Sequence, residues 1–480
     1  MVARCVFLTA CLAVVVLMTG CPARTMEAVP RDVPSAFDNA FSAPPGQWPA
    51  QAWYRDFYSD ELSTFVDLAA MNNWDFAAAR ARVAQADARA RQAGAAILPS
   101  VDGAGTANFL AGHSAQGGGH ELDWSAMLSA SYEVDFWGKN RAAADSARFL
   151  AGASRAERDT VALTTLAGVA DSYFQLLALR ERLTIARSNS DAARRLLDVV
   201  QARFDAGFAT PVELATQRTA FDTAQIAISD LQQAQTESRA ALALLLGRAP
   251  EGFVVQGAPL DSLHEPQVTA GLPSELLMRR PDVLLAEANL QAGHADLIVA
   301  RAAMFPSLSL TGSAGVQNPA LPAIVLTIPG VGPSFALGAN LIQPIFDHGR
   351  LKAQRDEAQA RDTELLAMYR SAIIAALSDV ETALAAIHHL DLAREFQVES
   401  VAQSERAFEG AQLRYEAGSG DYLVLLEAQR TVYAVRDQFV QYKLARLQAL
   451  VALCKALGGG WTQQQAHDQA PSTTTWNINR

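Results

Sequence analysis

Leu122-Asp123-Trp124-Ser125-Ala126-Met127-Leu128-Ser129-Ala130-Ser131-Tyr132-Glu133-Val134-Asp135-Phe136 alternates apolar and polar residues at almost every step, broken only at Met127. A period of two is that of a β-strand, whose successive side chains point to opposite faces. The greasy face carries Trp124, Leu128, Tyr132 and Phe136, and the wet face carries Ser125, Ser129, Ser131 and Glu133. Ser307 to Gln317 alternates in the same way, with Leu308 and Leu310 on one side and Ser307, Ser309 and Thr311 on the other. Weaker alternation near 100–110 and 334–343 brings the expected strands to four per chain. The pattern by itself favours a soluble sheet with one face on a core over a sheet facing lipid.

The segments downstream of each strand pair narrow the choice. No proline interrupts the chain between Pro99 and Pro211 or between Pro344 and Pro471, and alanine-rich amphipathic sequence fills 140–204 and 350–416. At 1.5 Å per residue each stretch predicts a helix of roughly 100 Å, longer than a globular core requires. Small residues such as Ala143, Ala147, Ala376 and Ala383 allow neighbouring helices to approach closely. Gly207 and Gly418 suit the left-handed position that ends a helix. New helices over 211–246 and 421–457 start at once: Thr210-Pro211-Val212-Glu213 reads as a capping box, and Asp421 as a cap. The predicted unit is a rod with strands at one end and two helical tips at the other.

The unit occurs twice. Ala95-Ala96-Ile97-Leu98-Pro99-Ser100 recurs as Ala302-Ala303-Met304-Phe305-Pro306-Ser307, an offset of 302 − 95 = 207. Arg203-Phe204-Asp205-Ala206-Gly207 recurs as Arg414-Tyr415-Glu416-Ala417-Gly418, an offset of 414 − 203 = 211. We therefore divide the chain into repeat 1 at 51–260 and repeat 2 at 261–461, each opening with a helix, with a tail at 462–480 expected to be disordered.

Residues 1–20 hold Arg4 and an apolar run from Val6 to Met18, then Thr19 and Gly20, the pattern of a secretory signal too short to span a bilayer. The small residues before Cys21 resemble a bacterial lipobox, so Cys21 is the expected lipid anchor and 21–50 an extended segment behind it; an ordinary signal with a chance cysteine is the alternative. An exported chain with four amphipathic strands favours a bilayer-spanning barrel. An open sheet edge is not tolerated in lipid, and four strands do not close, so such a chain must self-associate.

Other classes find little support. A net charge of −11 and no Lys/Arg-dense stripe argue against nucleic acid. Nucleophile elbows, zincin helices, phosphate loops and dinucleotide fingerprints are absent from the sequence, so no catalytic residue, metal site or cofactor is expected beyond the covalent lipid. His113 and His120 have no other ligand type clustered nearby, and Cys454 reads as a packing residue.

Several motifs carry a resemblance. Gly271-Leu272-Pro273-Ser274-Glu275-Leu276-Leu277-Met278-Arg279-Arg280-Pro281-Asp282-Val283 is similar to the hallmark of NodT-type outer-membrane efflux lipoproteins, relatives of TolC. Ala303-Met304-Phe305-Pro306-Ser307-Leu308, Phe346-Asp347-His348-Gly349-Arg350-Leu351 and Leu457-Gly458-Gly459-Gly460-Trp461 resemble family segments too, so the likeness runs from about Trp53 to Trp461. The resemblance implies an α+β membrane protein: a homotrimer with a 12-stranded barrel continued by a periplasmic helical barrel. It implies a passive outer-membrane exit duct for small molecules, whose tips dock a periplasmic adaptor linked to an inner-membrane pump, most often of the resistance-nodulation-division type.

For this chain the resemblance makes Asp421 the first gate candidate, with Asp205, Glu416 and Glu213 behind it and Arg203 and Arg414 as bridging partners. Adaptor docking falls to the turns Gly207-Phe208-Ala209-Thr210 and Gly418-Ser419-Gly420. The residue-level alternatives are helix capping for Asp421 and Glu213, and dipole compensation for the arginines. At the level of function, a protein-secretion duct and a structural periplasmic coiled-coil lipoprotein stay open.

Overall fold

The computed structural model describes Pro34, 36–38, 48–50 and 52–459, apart from 115–116, 269–270, 272 and 318–331. Cys21, the signal, most of the 21–50 segment and the 462–480 tail lie outside the described residues, as do the side chains of His113 and His120.

Repeat 1 opens with a 3-10 turn, Trp53–Phe57, then α1 (Asp60–Asn72) and α2 (Trp74–Ala95). A hairpin of β1 (Ser100–Ser114) and β2 (Gly117–Val134) leads into α3 (Lys139–Asp205) and α4 (Pro211–Leu245). Repeat 2 has α5 (Pro281–Ala302), β3 (Ser307–Gln317), β4 (Gly332–Ile342), α6 (Arg350–Glu416) and α7 (Tyr422–Ala456). The helix expected at the start of repeat 1 is two helices, because Asn73 ends one and begins the next. Its backbone is extended, its N–H reaches Ala69 O and its side chain accepts from Phe76 N.

All four strands form one antiparallel sheet in the order β1-β2-β3-β4, so the sheet joins the two repeats at β2–β3. Register decides the faces. Val101 pairs with Ala130, Ala130 with Gly312 and Gly312 with Leu337, while Leu128 pairs with Ala314 and Ala314 with Phe335. Directly paired residues share a face, so Val101, Leu128, Tyr132, Leu308, Leu310, Phe335, Leu337 and Leu341 line one side. The other side carries Ser100, Asp102, Thr106, Ser125, Ser129, Ser131, Ser309, Thr311 and Asn340, with hydroxyl pairs Ser100–Ser131 at 2.9 Å and Thr106–Ser125 at 2.8 Å. The apolar side is bare: Phe335 is 81% and Leu337 94% exposed.

β2 stops at Val134, two residues short of the sequence reading, so Phe136 stands beyond the strand and is exposed. The cause is Asp135, whose carboxylate accepts from Asn140 N and Arg141 N and caps the first turn of α3. Asp347 caps α6 in the same way through Leu351 N, and Gly138 and Gly349, at φ +75° and +83°, turn the chain just before each helix. Both strand-to-helix corners thus share one device. Trp137 fastens the first corner to the segment between α5 and β3, stacking on Phe305 at 4.7 Å and donating from Nε1 to Pro306 O at 2.8 Å.

α3 and α6 each run 67 residues, about 100 Å. Each contains an apolar 18-residue window of membrane-span composition, but a helix of three times bilayer length is placed by its packing. α3 is the hub, lying against α2, α4, α5 and α7. The aromatic core sits midway, where Trp53, Phe57, Phe65, Tyr173, Phe174 and Phe253 pack together.

Candidate functional site

Two places combine unusual exposure with defined geometry: the helical tips and the two-faced sheet. At tip 1, α3 ends in a left-handed glycine: Gly207 has φ +81°, and Phe208 N donates back to Arg203 O at 2.7 Å. α4 starts with a complete capping box, Thr210 Oγ1 accepting from Glu213 N and Glu213 Oε2 from Thr210 N. Phe208 and Val212 project into solvent at 78% and 73% exposure.

Tip 2 repeats the exit: Gly418 has φ +75° and Ser419 N donates to Arg414 O. Its entry differs. Asp421 lies just before α7, and its Oδ1 accepts from Leu423 N at 2.7 Å. Gly420 is seated so closely that a Cβ there would come within 2.7 Å of Tyr415 N. Behind it Tyr415 and Tyr422 are buried with Val200, Leu425 and Leu426. The Tyr422 hydroxyl donates to Gln217 Oε1, and Gln217 Nε2 donates to Ala193 O, so a fully buried amide on α4 ties both hairpins together. Burial pushes the Tyr422 phenol up to about 12, and the neighbouring Tyr415 adds to the shift.

Each gate candidate now has a place. Asp421 and Glu213 cap helices; Asp205 and Glu416 are the last residues of α3 and α6 and accept from Gln201 and Gln412, one turn back. Arg203 lies over the Tyr415 ring, 4.7 Å from its centroid, and so bridges the tips through an aromatic rather than a carboxylate. Arg414 stands in the last turn of α6. Gly207, Phe208, Ala209 and Thr210 form the loop of tip 1; Gly418, Ser419 and Gly420 form that of tip 2. Beside tip 2 an open apolar groove of about 400 Å³ is lined by Ala407, Leu423, Val424 and Ala428.

Sequence reasoning missed Tyr422, Tyr415 and Gln217, since partners 205 residues apart leave no local pattern. It also missed the role of Arg280. This side chain, 8% exposed, donates to Asp282 at 2.6 Å and Asp379 at 2.9 Å and to the carbonyls of Ala376 and Ala456. Burial works against its charge, but the two carboxylates outweigh that and raise its pKa. The Arg-Pro-Asp run was visible in the sequence; its purpose as a clamp between α5, α6 and the end of α7 was not.

A four-stranded sheet with one bare apolar face, carried on helical hairpins of about 100 Å that end in capped tips, is the protomer architecture of a TolC-like outer-membrane channel. The outer membrane efflux protein family model matches the chain twice, over residues 65–248 and 272–459. The chain belongs to the outer membrane efflux protein family, whose members are ducts and not enzymes. It is 44% identical over 449 residues to the pyoverdine export outer membrane protein OpmQ of Pseudomonas aeruginosa, covering 89% of this chain and 93% of that one. It is 30% identical over 416 residues to the cation efflux system protein CusC of Escherichia coli, covering 86% and 88%. Among solved structures, the outer-membrane channel OprN superposes with a TM-score of 0.82 at 26% identity, covering 90% of this chain and 98% of that one. The double match agrees with the internal repeat, and the chain is an outer-membrane component of an efflux system.

Proposed function

We propose that three copies close their sheets into a twelve-stranded barrel, 3 × 4 strands, continued by a helical duct, and that the assembly exports small hydrophilic molecules. The observation that carries this reading is the sheet. Its two faces are sorted by register, with Val101, Leu128, Leu310, Phe335 and Leu337 toward lipid and a hydroxyl-rich wall toward the lumen. No Lys or Arg lies between Ser100 and Gly138 or between Ser307 and Gly349. This composition suits strands that meet hydrocarbon, where a basic residue at mid-bilayer costs about 2–4 kcal/mol. β1 and β4 end the sheet within one chain, and pairing β1 of one copy with β4 of the next satisfies their backbones without an edge.

In this assembly Cys21 carries the lipid anchor. Phe208, Val212, Leu423 and Val424, apolar residues held in water, are covered by a periplasmic adaptor, which couples the duct to an inner-membrane pump of the resistance-nodulation-division type. Asp205 and Glu416, with Asp421 and Glu213, supply threefold rings of negative charge at the narrow end, and Arg203 and Arg414 hold the hairpins shut. The cargo is a secreted chelator of the pyoverdine class, supported by 44% identity to a pyoverdine-export protein against 30% to a cation-efflux protein.

The test is direct. Purified protein should run as a heat-resistant trimer and give single-channel conductance in planar bilayers. Deletion of its reading frame should trap the chelator inside the cell. A purified species that stays monomeric in detergent and never conducts, even with Asp205 and Glu416 neutralised, would sink the duct.

A further inference from the structure

The duct does not account for the hallmark run at 271–283. Two adjacent arginines there point opposite ways. Arg280 points inward to its clamp on Asp282, Asp379 and the end of α7. Arg279 points outward and lies over the ring of Trp48, 4.5 Å from its centroid. The same indole donates from Nε1 to Glu275 Oε2 at 2.8 Å. Gly271 completes the seat: a Cβ there would lie 2.4 Å from the indole ring, so any other residue collides with Trp48. One ring is thus held by a cation on its face, a carboxylate on its N–H and a glycine at its edge, by residues 223–231 positions away (271 − 48 and 279 − 48).

Trp48 heads the described stretch 48–50, and Trp53, five positions on, is already buried in the aromatic core. A second large anchor so close to Trp53 is unnecessary for packing the core. It matters if the chain before it is under load. We propose that Gly271, Glu275 and Arg279 form a built receptor for Trp48, which latches the N-terminal tether of the chain to the node that Arg280 clamps from within. The purpose rests on the Cys21 anchor reading; the latch itself does not. Twenty-six residues separate Cys21 from Trp48 (48 − 21 − 1), at most about 90 Å of extended chain. Tension from an acylated end would therefore be delivered to the hallmark run, where α5, α6 and α7 meet, and not to the strands.

Hydrogen exchange read by mass spectrometry on the full-length protein in detergent tests this. Trp48→Ala should speed exchange at the Trp53 amide, which donates to Ala50 O, by tenfold or more, the scale set by losing one cation–π contact and one charged hydrogen bond, while 281–302 and 350–416 stay within twofold. Gly271→Leu, which keeps the tryptophan but fills its seat, should reproduce the release, and Trp48→Phe should fall between. Cys21→Ser should leave the latch closed, so loss of the lipid anchor and loss of the latch are separate results. Unchanged exchange at the Trp53 amide in both Trp48→Ala and Gly271→Leu overturns the proposal. So does equal loosening of 281–302, which would make Trp48 a core residue.

Discussion

The two tips leave their long helices by the same route and enter the next helices by different ones. Tip 1 is built from adjacent residues: Thr210, Pro211 and Glu213 satisfy the first turn of α4 among themselves. Tip 2 has a single cap in Asp421 and takes its shape from buried side chains, Tyr415 and Tyr422, which reach across to Arg203 and Gln217 of the first hairpin. At offset 211 the counterparts of Arg203 and Tyr415 are Arg414 and Phe204, and among the described residues that pair makes no such stack. The asymmetry lies in the entries: tip 1 caps its next helix with its own adjacent residues, whereas tip 2 takes its shape from a buried cluster to which the first hairpin contributes Val200, Ala209 and Leu214. A duplicated unit has become a support and a supported part.

The largest effect should come from Tyr422→Ala, which removes a buried aromatic and strands the Gln217 amide. Truncations of this kind cost about 3–5 kcal/mol. Exchange protection should collapse over 408–426 and persist over 203–215; equal loss at both tips would break the comparison. Gly420→Val should come next at about 1–3 kcal/mol, because its Cβ presses on the Tyr415 backbone, and it too should loosen tip 2 alone.

Alkaline titration sharpens the same point. The Tyr422 phenol is raised from 10.0 to about 12 in the folded chain. A raised acid favours the protonated native state, so its contribution is intact below pH 10 and is lost as pH climbs toward 12. Tip 2 should therefore loosen over that window, with a late tyrosinate absorbance step absent from Tyr422→Phe. Removing the caps is milder. Thr210→Ala and Asp421→Ala should each cost about 1 kcal/mol, with Thr210→Ala also disturbing tip 2 through Gln217 and Asp421→Ala leaving tip 1 unmoved.

Legibility in the sequence divides along the same line. Features written in adjacent residues could be read: the alternation of β2, the glycine exits, the Thr210–Glu213 box and the lengths of α3 and α6. Features made by distant residues could not. Asn73 splitting α1 from α2 is an exception of another kind, since one asparagine in an otherwise continuous helical pattern serves as end and beginning at once. Asp421 and Glu213 read as gate or cap from the sequence, and the structure gives both a cap. The Arg203 stack has no local signature in the sequence, because an arginine face satisfies an aromatic as well as a carboxylate.

Arg203 gives the smallest and most informative test. Its guanidinium over Tyr415 is worth about 0.5–1 kcal/mol at a partly exposed site, too little to move the stability of a chain with two helices of 67 residues each. It joins α3 to α6 at the tips, the contact that the proposed gate would have to release. Arg203→Met keeps the long apolar stem over the ring and removes only the charge, so the folded tip should survive while the closed state loses about that much. If closing depends on this clasp, single-channel recordings should show open probability rising about two- to fivefold, the Boltzmann factor of 0.5–1 kcal/mol. Arg414→Met, which removes the repeat-related charge without an aromatic partner in the second hairpin, should change opening less. An equal response from both would mean that the arginines act through summed charge at the rim, and the support relation between the tips would then be one of folding alone.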